Sequence, residues 1–396
     1  MQTLGSTVGD HTSRQRAFFS LLAASIGSAT QLGFWLFAYA FCSNTEFSRL
    51  NIAWAAGYGL GQFLTLNEHR KLIDHPEILR QMLTRLVFRF GLASFLMSIA
   101  AFLVMNSSDR IYALLAIALA AQYLLQLPGQ SMAVGMRQVR FELLFRLSGP
   151  VALLILGFPL VAIAGLSFLH IVIGVIGVTI AVMLGLIVHL YGCFLWPRFL
   201  QVHSLRGFST IKSVYLFHVA MDASLYPALF FILSTVHAGQ KTELGLRLLI
   251  TVSGVLVSAL TMHAYMHRAN PLVSLFWHGT TWLVAGLWLG WALEVMPGSE
   301  SRGVDAVWAL WMAIFLWQLV LALVGVLSLV LVERRGQSWF SSRAIVHHAL
   351  VASVALWIRF AGGDLTQDAL SVLLWLMSGV LLIMVWPPVK KERDEL

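Results

Sequence analysis

Apolar residues occur along this chain in blocks of about 20, separated by short polar or charged stretches. A helix of about 20 residues crosses the hydrocarbon core of a bilayer. Since the blocks lack the apolar–polar alternation of barrel strands, we expect helices. We predict an all-α polytopic membrane protein with about 12 transmembrane helices, at 17–41, 48–66, 86–105, 110–127, 147–166, 168–196, 213–236, 244–262, 271–294, 304–332, 344–361 and 366–386.

The composition agrees with this pattern. The chain is 59% hydrophobic and 11% charged, whereas a soluble domain is roughly 25% charged. The net charge of +8 would suggest a nucleic-acid partner in a soluble protein. Here the basic residues lie between apolar blocks, where they set membrane orientation, so we expect membrane lipids and no nucleic acid as partners. Two divisions are the least distinct: the second span contains Gly57, Gly59 and Gly61, and only Ser167 separates the fifth and sixth spans.

The basic residues are distributed asymmetrically. Of the 26 Lys and Arg residues, 19 lie in predicted cytoplasmic segments, four in predicted external loops and three inside spans. This bias predicts that both termini are cytoplasmic. The first apolar block is too long for the core of a signal peptide, so we expect an uncleaved first span. The long inner loops Asn67–Arg85 and Gly129–Arg146 are expected to form amphipathic extensions along the membrane surface.

Polar and ionisable groups inside spans are the candidate functional residues, because each charge costs about 2.5–3.5 kcal/mol to insert and usually faces a cavity or a partner. Asp222 lies near the middle of span seven, and Arg247 lies one turn into span eight. An antiparallel arrangement brings them within reach of each other, either as a static ion pair or as a functional one. Arg89 and Arg359 either reach toward the headgroups or line a cavity.

Three further polar residues extend this set. His218 lies one turn before Asp222, and Gln31 and Gln318 lie deep in spans one and ten. Together with the arginines they predict a sparse, net-positive lining, which suits a phosphate-bearing substrate because guanidinium groups bind phosphate through two hydrogen bonds. Asp222 and Arg247 are predicted to face an interior cavity.

No enzyme signature is present in the sequence. A Walker A loop, a His-Glu-x-x-His motif and a Gly-x-Ser-x-Gly motif are all missing. His263 and His267 share a helical face but have no carboxylate or cysteine nearby, and Cys42 and Cys193 fall on opposite sides of the membrane in the predicted topology. We therefore expect no cofactor and no metal.

Three stretches carry a family resemblance. They are Glu46-Phe47-Ser48 at the start of span two, Glu68-His69-Arg70-Lys71 before span three, and the basic juncture Gly135–Glu142 after span four. Over roughly residues 17–160 they resemble the polysaccharide transporter branch (O-antigen, Wzx-type flippases) of the multidrug/oligosaccharidyl-lipid/polysaccharide flippase superfamily. The resemblance implies two six-helix lobes around a central cavity, here residues 1–200 and 201–396.

The resemblance also implies a function. We expect a flippase of the bacterial inner membrane that translocates an undecaprenyl-pyrophosphate-linked oligosaccharide for surface polysaccharide biosynthesis, with a polysaccharide polymerase and other assembly proteins as partners. A membrane glycan acyltransferase or polymerase is an alternative, although the short external loops do not suit a polymerase. A small-molecule antiporter is another, although the Gly-x-x-x-Asp-Arg signature of major-facilitator carriers is missing.

Overall fold

A computed structural model describes residues 22, 26–65, 68–70, 72, 78–136, 139–157, 159 and 167–191, and in the second half 243–245, 247, 248 and 251. These residues are almost entirely helical, and the part of the chain they cover contains no strand. The main helices are α1 (26–41), α2 (Asn44–Thr65), α3 (Leu79–Val104), α4 (Ser107–Gly135), α5 (Val139–Ala152) and α6 (Phe168–Tyr191). Predicted span seven and spans nine to twelve lie outside the described residues.

Three helices of the described part are long and apolar enough to cross a membrane. They are α3, the Ser107–Ala133 part of α4 and the Phe168–His189 part of α6. α6 begins directly after Ser167, which confirms the predicted division between spans five and six. Most of the large apolar side chains of α3 are exposed, including Phe95, Phe102 and Leu103. Such a surface suits contact with lipid, and the all-helical membrane character predicted from the apolar blocks is confirmed at this level.

Three helix boundaries in the described part differ from the prediction by seven residues or more, and one of them is the start of α5, which lies at Val139 and not at residue 147. Span four was predicted to end at residue 127, before Pro128, but α4 continues through Pro128 to Gly135. A proline is tolerated inside a membrane helix when neighbouring groups satisfy the carbonyl that it leaves without a partner. α3 begins at Leu79 instead of residue 86, so the end of the predicted Asn67–Arg85 extension forms the first two turns of this helix. The same inner region contains a 3₁₀ turn at Glu68–Arg70.

Two glycines of α2 allow it to pack closely against α4. A Cβ atom placed on Gly57 would lie 2.6 Å from the Cβ of Leu119 and 2.7 Å from the carbonyl oxygen of Ala116. A Cβ on Gly61, one turn later, would lie 2.8 Å from the Cβ of Tyr123. The glycines that make span two less apolar therefore let its backbone approach α4 closely, as small residues four apart do in membrane helices.

The ends of the helices are organised differently. At the start of α2, Ser43 and Glu46 form a capping box: the Glu46 carboxylate accepts hydrogen bonds from the N–H (3.0 Å) and hydroxyl (2.8 Å) of Ser43. At the opposite end, where α2 ends and α3 begins, a cluster of buried apolar side chains joins α2 and α3 to α4, α5 and α6. This cluster includes Leu64, Leu72, Leu79, Met82, Leu86, Leu124, Met132, Phe145, Met183 and Ile187.

Candidate functional site

Three of the seven predicted site residues lie in the described part: Gln31, Arg89 and Arg247. Gln31 lies half-buried in α1. Arg89 and Arg247 each lie in a buried polar cluster, one at each end of α2. Asp222, His218, Gln318 and Arg359 lie outside the described residues, as does Cys193.

Arg247 is enclosed by the first part of the chain. Its side chain is buried, with the whole residue only 5% exposed. Its Nε donates a hydrogen bond to Oδ1 of Asn51 (2.6 Å), and its Nη2 donates to the backbone carbonyl oxygen of Asn51. The guanidinium carbon lies 4.5 Å from the ring centre of Trp35, in cation–π geometry. Arg247 therefore faces packed protein and not lipid.

Asn51 connects the arginine to a carboxylate. Its amide nitrogen Nδ2 donates to Oε2 of Glu243 at 3.1 Å, and Ser48 hydrogen-bonds to the same glutamate. Both Asn51 and Glu243 are buried. Because the Arg247 guanidinium can only donate, Oδ1 of Asn51 faces the arginine and Nδ2 faces Glu243. Asn51 thus bridges Glu243 and Arg247, which are four residues apart in the sequence.

The depth of this outer cluster (Trp35, Asn51, Glu243, Arg247) follows from helix geometry. Trp35 lies six residues before the end of α1, and Asn51 lies seven residues after the start of α2. At 1.5 Å per residue both lie about 10 Å below the end where α1 and α2 meet. The predicted orientation assigns that end to the external side. In the predicted topology the cluster lies at membrane depth, where groups lacking partners are expensive.

The chemistry available to the outer cluster follows from this enclosure. Arg247 is only 5% exposed and its guanidinium is bonded to Asn51, so it cannot bind a phosphate in this conformation. Its contacts join the second half of the chain to α1 and α2. Removing one member would leave a charge buried without its hydrogen bonds, which is far more costly than the net gain from forming the cluster.

Arg89 forms the inner cluster. Its Nη1 donates to the carbonyl oxygen of Leu64 (3.1 Å), and its Nη2 lies 3.3 Å from Oε1 of Glu68. The Arg89 side chain is only 9% exposed. In the structure Arg89 has protein partners near the end of α2. The pair ties α3 to the end of α2, within the first half of the chain.

The sequence did not single out Trp35, Asn51 or Glu243. The predicted topology places Glu243 in an external loop. It places Asn51 in span two, where the glycines are the most conspicuous feature. A usable signal was present: Ser48 and Asn51 are three residues apart, so a polar stripe begins α2 on one helical face. Asp222, the predicted partner of Arg247, lies outside the described part.

No protein-family model matches the chain, and neither a curated protein nor a solved structure shows significant similarity to it. In the described part, no group of three or more His, Cys, Asp or Glu side chains is arranged to hold a metal ion.

Proposed function

We propose that the protein is a flippase that moves an undecaprenyl-pyrophosphate-linked oligosaccharide across the bacterial inner membrane for surface polysaccharide biosynthesis. The proposal includes about 12 spans, two six-helix lobes (1–200 and 201–396) and cytoplasmic termini. The observation that carries it is the outer cluster, where Arg247 of the second half is buried against Asn51 and Trp35 of the first half. A charged contact at membrane depth is costly. Its presence between the two halves of the chain therefore favours an interface, here called the seam, at which the halves move relative to each other.

The mechanism follows from what must cross. A sugar headgroup and its pyrophosphate cannot pass through hydrocarbon, whereas the lipid tail can remain in it. Two lobes that rock about a central cavity open it to one leaflet at a time. In this scheme the contact between Asn51 and Arg247 keeps the external side closed. Opening that side separates them, and water then replaces the hydrogen bonds that each loses.

Separation would also change what Arg247 can bind. Once the guanidinium leaves Asn51, its donors face the cavity, and a pyrophosphate is a strong acceptor for them. Glu243, four residues earlier, would repel the same anion. The arrangement therefore suits transient attraction of the headgroup during opening and not tight retention.

The decisive experiment compares glycolipids in the host with and without the gene. A flippase defect leaves the complete lipid-linked repeat unit accumulating on the cytoplasmic leaflet, with its structure unchanged and little surface polysaccharide. Loss of a polymerase would instead leave single repeats at the surface, and loss of an acyltransferase would leave polysaccharide lacking an acyl group. Either of those results, or normal glycolipids and normal polysaccharide, would overturn the proposal.

Reconstitution provides the direct test. Purified protein in liposomes should make the headgroup of a lipid-linked oligosaccharide accessible to a glycosidase or lectin added outside. Arg247→Met in the same liposomes is the matched variant, because it keeps an unbranched, flexible stem and removes the donors. Equal headgroup accessibility in empty liposomes and in liposomes with the protein would contradict the flippase proposal.

A further inference from the structure

Four helix ends enclose a cavity above the outer cluster. It lies where α1 ends and where α2, α4 and α6 begin, and its volume is about 300 Å³. Its lining combines aromatic rings with a carboxylate: Phe41, Glu46, Tyr112 and Phe168 are among the lining residues. Small-ligand sites begin at about this size, and here polar and apolar groups share the lining.

The charge of the cavity restricts its ligand. Glu46 is the acidic lining residue, and hydrogen bonds from Ser43 hold the pKa of its carboxyl below the usual range, so it is ionised at neutral pH. Both hydrogen bonds from Ser43 go to the same carboxylate oxygen of Glu46, Oε2. The nearby basic group Arg49 is neutralised by Asp109 at 2.7 Å. An anionic ligand such as phosphate would therefore meet net negative charge.

The aromatic groups indicate the remaining chemistry. Phe41 is 51% exposed, and its ring centre lies 4.5 Å from that of Phe37. An aromatic face contacts the C–H face of a pyranose, and a carboxylate accepts hydrogen bonds from its hydroxyl groups. The Tyr112 hydroxyl, which can donate and accept, adds a second polar group.

We propose that this outer cavity (lined by Phe41, Glu46, Tyr112 and Phe168) binds one neutral sugar ring. The proposal rests on the proposed function only for the source of the sugar, which would be the oligosaccharide headgroup as it emerges on the external side. The cavity lies at the external end of the first half, whereas the outer cluster closes the seam below it. It would therefore bind the headgroup after translocation.

The test uses a single thiol at the rim as a reporter. Burial, and then the charge of Glu46, raises the pKa of the Cys42 thiol to about 12, so this native thiol reacts too slowly to be useful. Ser167 lines the cavity and is exposed. Ser167→Cys, in a chain with Cys42→Ser and Cys193→Ser, places one reactive thiol there. The protein is held in lipid nanodiscs to avoid sugar-based detergents.

The probes are glucose and N-acetylglucosamine as neutral sugars, tetramethylammonium as a cation and inorganic phosphate as an anion. At a sugar concentration twice its dissociation constant, occupancy reaches two thirds and maleimide labelling slows about three-fold. We expect this protection from a neutral sugar, and we expect it to disappear in Glu46→Gln and in Tyr112→Phe. Tyr39→Phe is the matched control outside the lining and should retain it.

Several results would overturn the sugar site. They are no protection by either sugar, equal protection in every variant, or protection by tetramethylammonium or phosphate alone. Circular dichroism of each variant shows whether it has folded, and a variant that unfolds is replaced by Phe41→Leu, which removes the ring but stays apolar. Labelling does not require transport, so absence of protection would overturn the sugar site and leave the flippase proposal standing. Failed translocation with intact protection would overturn the flippase proposal and leave the sugar site standing.

Discussion

Asn51→Leu tests the energetic importance of the outer cluster. The substitution keeps the branched shape of the side chain and removes two side-chain hydrogen bonds, one from Arg247 and one to Glu243, while the backbone carbonyl of residue 51 remains. Hydrogen bonds between membrane helices contribute about 0.6 kcal/mol on average and up to about 1.7. We therefore expect the free energy of unfolding to fall by about 1–3 kcal/mol.

The partner substitution, Arg247→Met, should cost more. It removes both bonds to Asn51 and the cation–π contact with Trp35, and it leaves Glu243 buried without the neighbouring positive charge. Removing one member of a buried charged pair typically costs about 3–5 kcal/mol. Each single variant loses the hydrogen bonds between Asn51 and Arg247, and the double variant loses them only once. The coupling energy between the two substitutions should therefore be about 1–2 kcal/mol.

The measurement is reversible unfolding of the purified protein, followed by helical circular dichroism during titration of mixed micelles with dodecyl sulfate. Gln62→Leu is the matched control: this amide is also buried in α2, eleven residues from Asn51, which is about 16 Å along the helix. Its effect should add to that of Arg247→Met. A coupling energy between Asn51 and Arg247 below about 0.5 kcal/mol, no larger than the control, would refute the reasoning.

The remaining predictions concern packing, pH and topology. Gly57→Ala should lower the free energy of unfolding by about 1–3 kcal/mol because its methyl group has no space against α4, whereas Gly91→Ala, with open space around it, should raise it by about 0.5–1 kcal/mol. The pKa of Glu46 is lowered in the fold, so its stabilising effect is present above about pH 4.5 and disappears as the pH falls through the lower, folded value. The difference in melting temperature between the parent and Glu46→Gln should therefore shrink as the pH falls from 7 to 3. Asp222→Asn should insert at normal levels yet fail to export glycan. Reporter fusions should place both termini in the cytoplasm.

Each of these has an outcome that contradicts it. Equal unfolding energies for the two glycine variants would mean that the α2–α4 contact is looser than described. A melting-temperature difference that stays constant with pH would exclude an ionised Glu46 cap. Full export at normal expression in Asp222→Asn would remove that residue from the site, and a phosphatase signal from the C-terminus would refute the orientation.

Helix type and approximate position were predictable from the sequence because they depend on local composition. An apolar block of span length can satisfy its backbone inside a membrane only as a helix. The predicted end before Pro128 failed because membrane surroundings override the usual effect of proline, and α4 continues for seven residues beyond it. The span count and the two lobes remain predictions.

The outer cluster was beyond what local patterns can reveal. Asn51 is separated from Glu243 by 192 residues and from Arg247 by 196. Insertion cost marked Arg247 as a residue that needs partners, but it could not say which partners. The glycines of α2 show the same limit: Gly57 and Gly61 reduce the apolar character of the helix, and only the position of α4 reveals that they form a contact surface.

The contacts of α2 differ along its length in a way that bears on how a seam could open. Along its middle, Gly57 and Gly61 hold it against α4 by close apolar contact, and near its inner end the carbonyl of Leu64 binds Arg89. Both contacts lie within the first half. Its outer part binds the second half through Asn51, by hydrogen bonds. Water can replace hydrogen bonds at a net cost of about 0.5–1.5 kcal/mol each, but it cannot replace apolar packing so cheaply. If the two halves rock as proposed, α2 should therefore move with α4, and the separation should occur at Asn51.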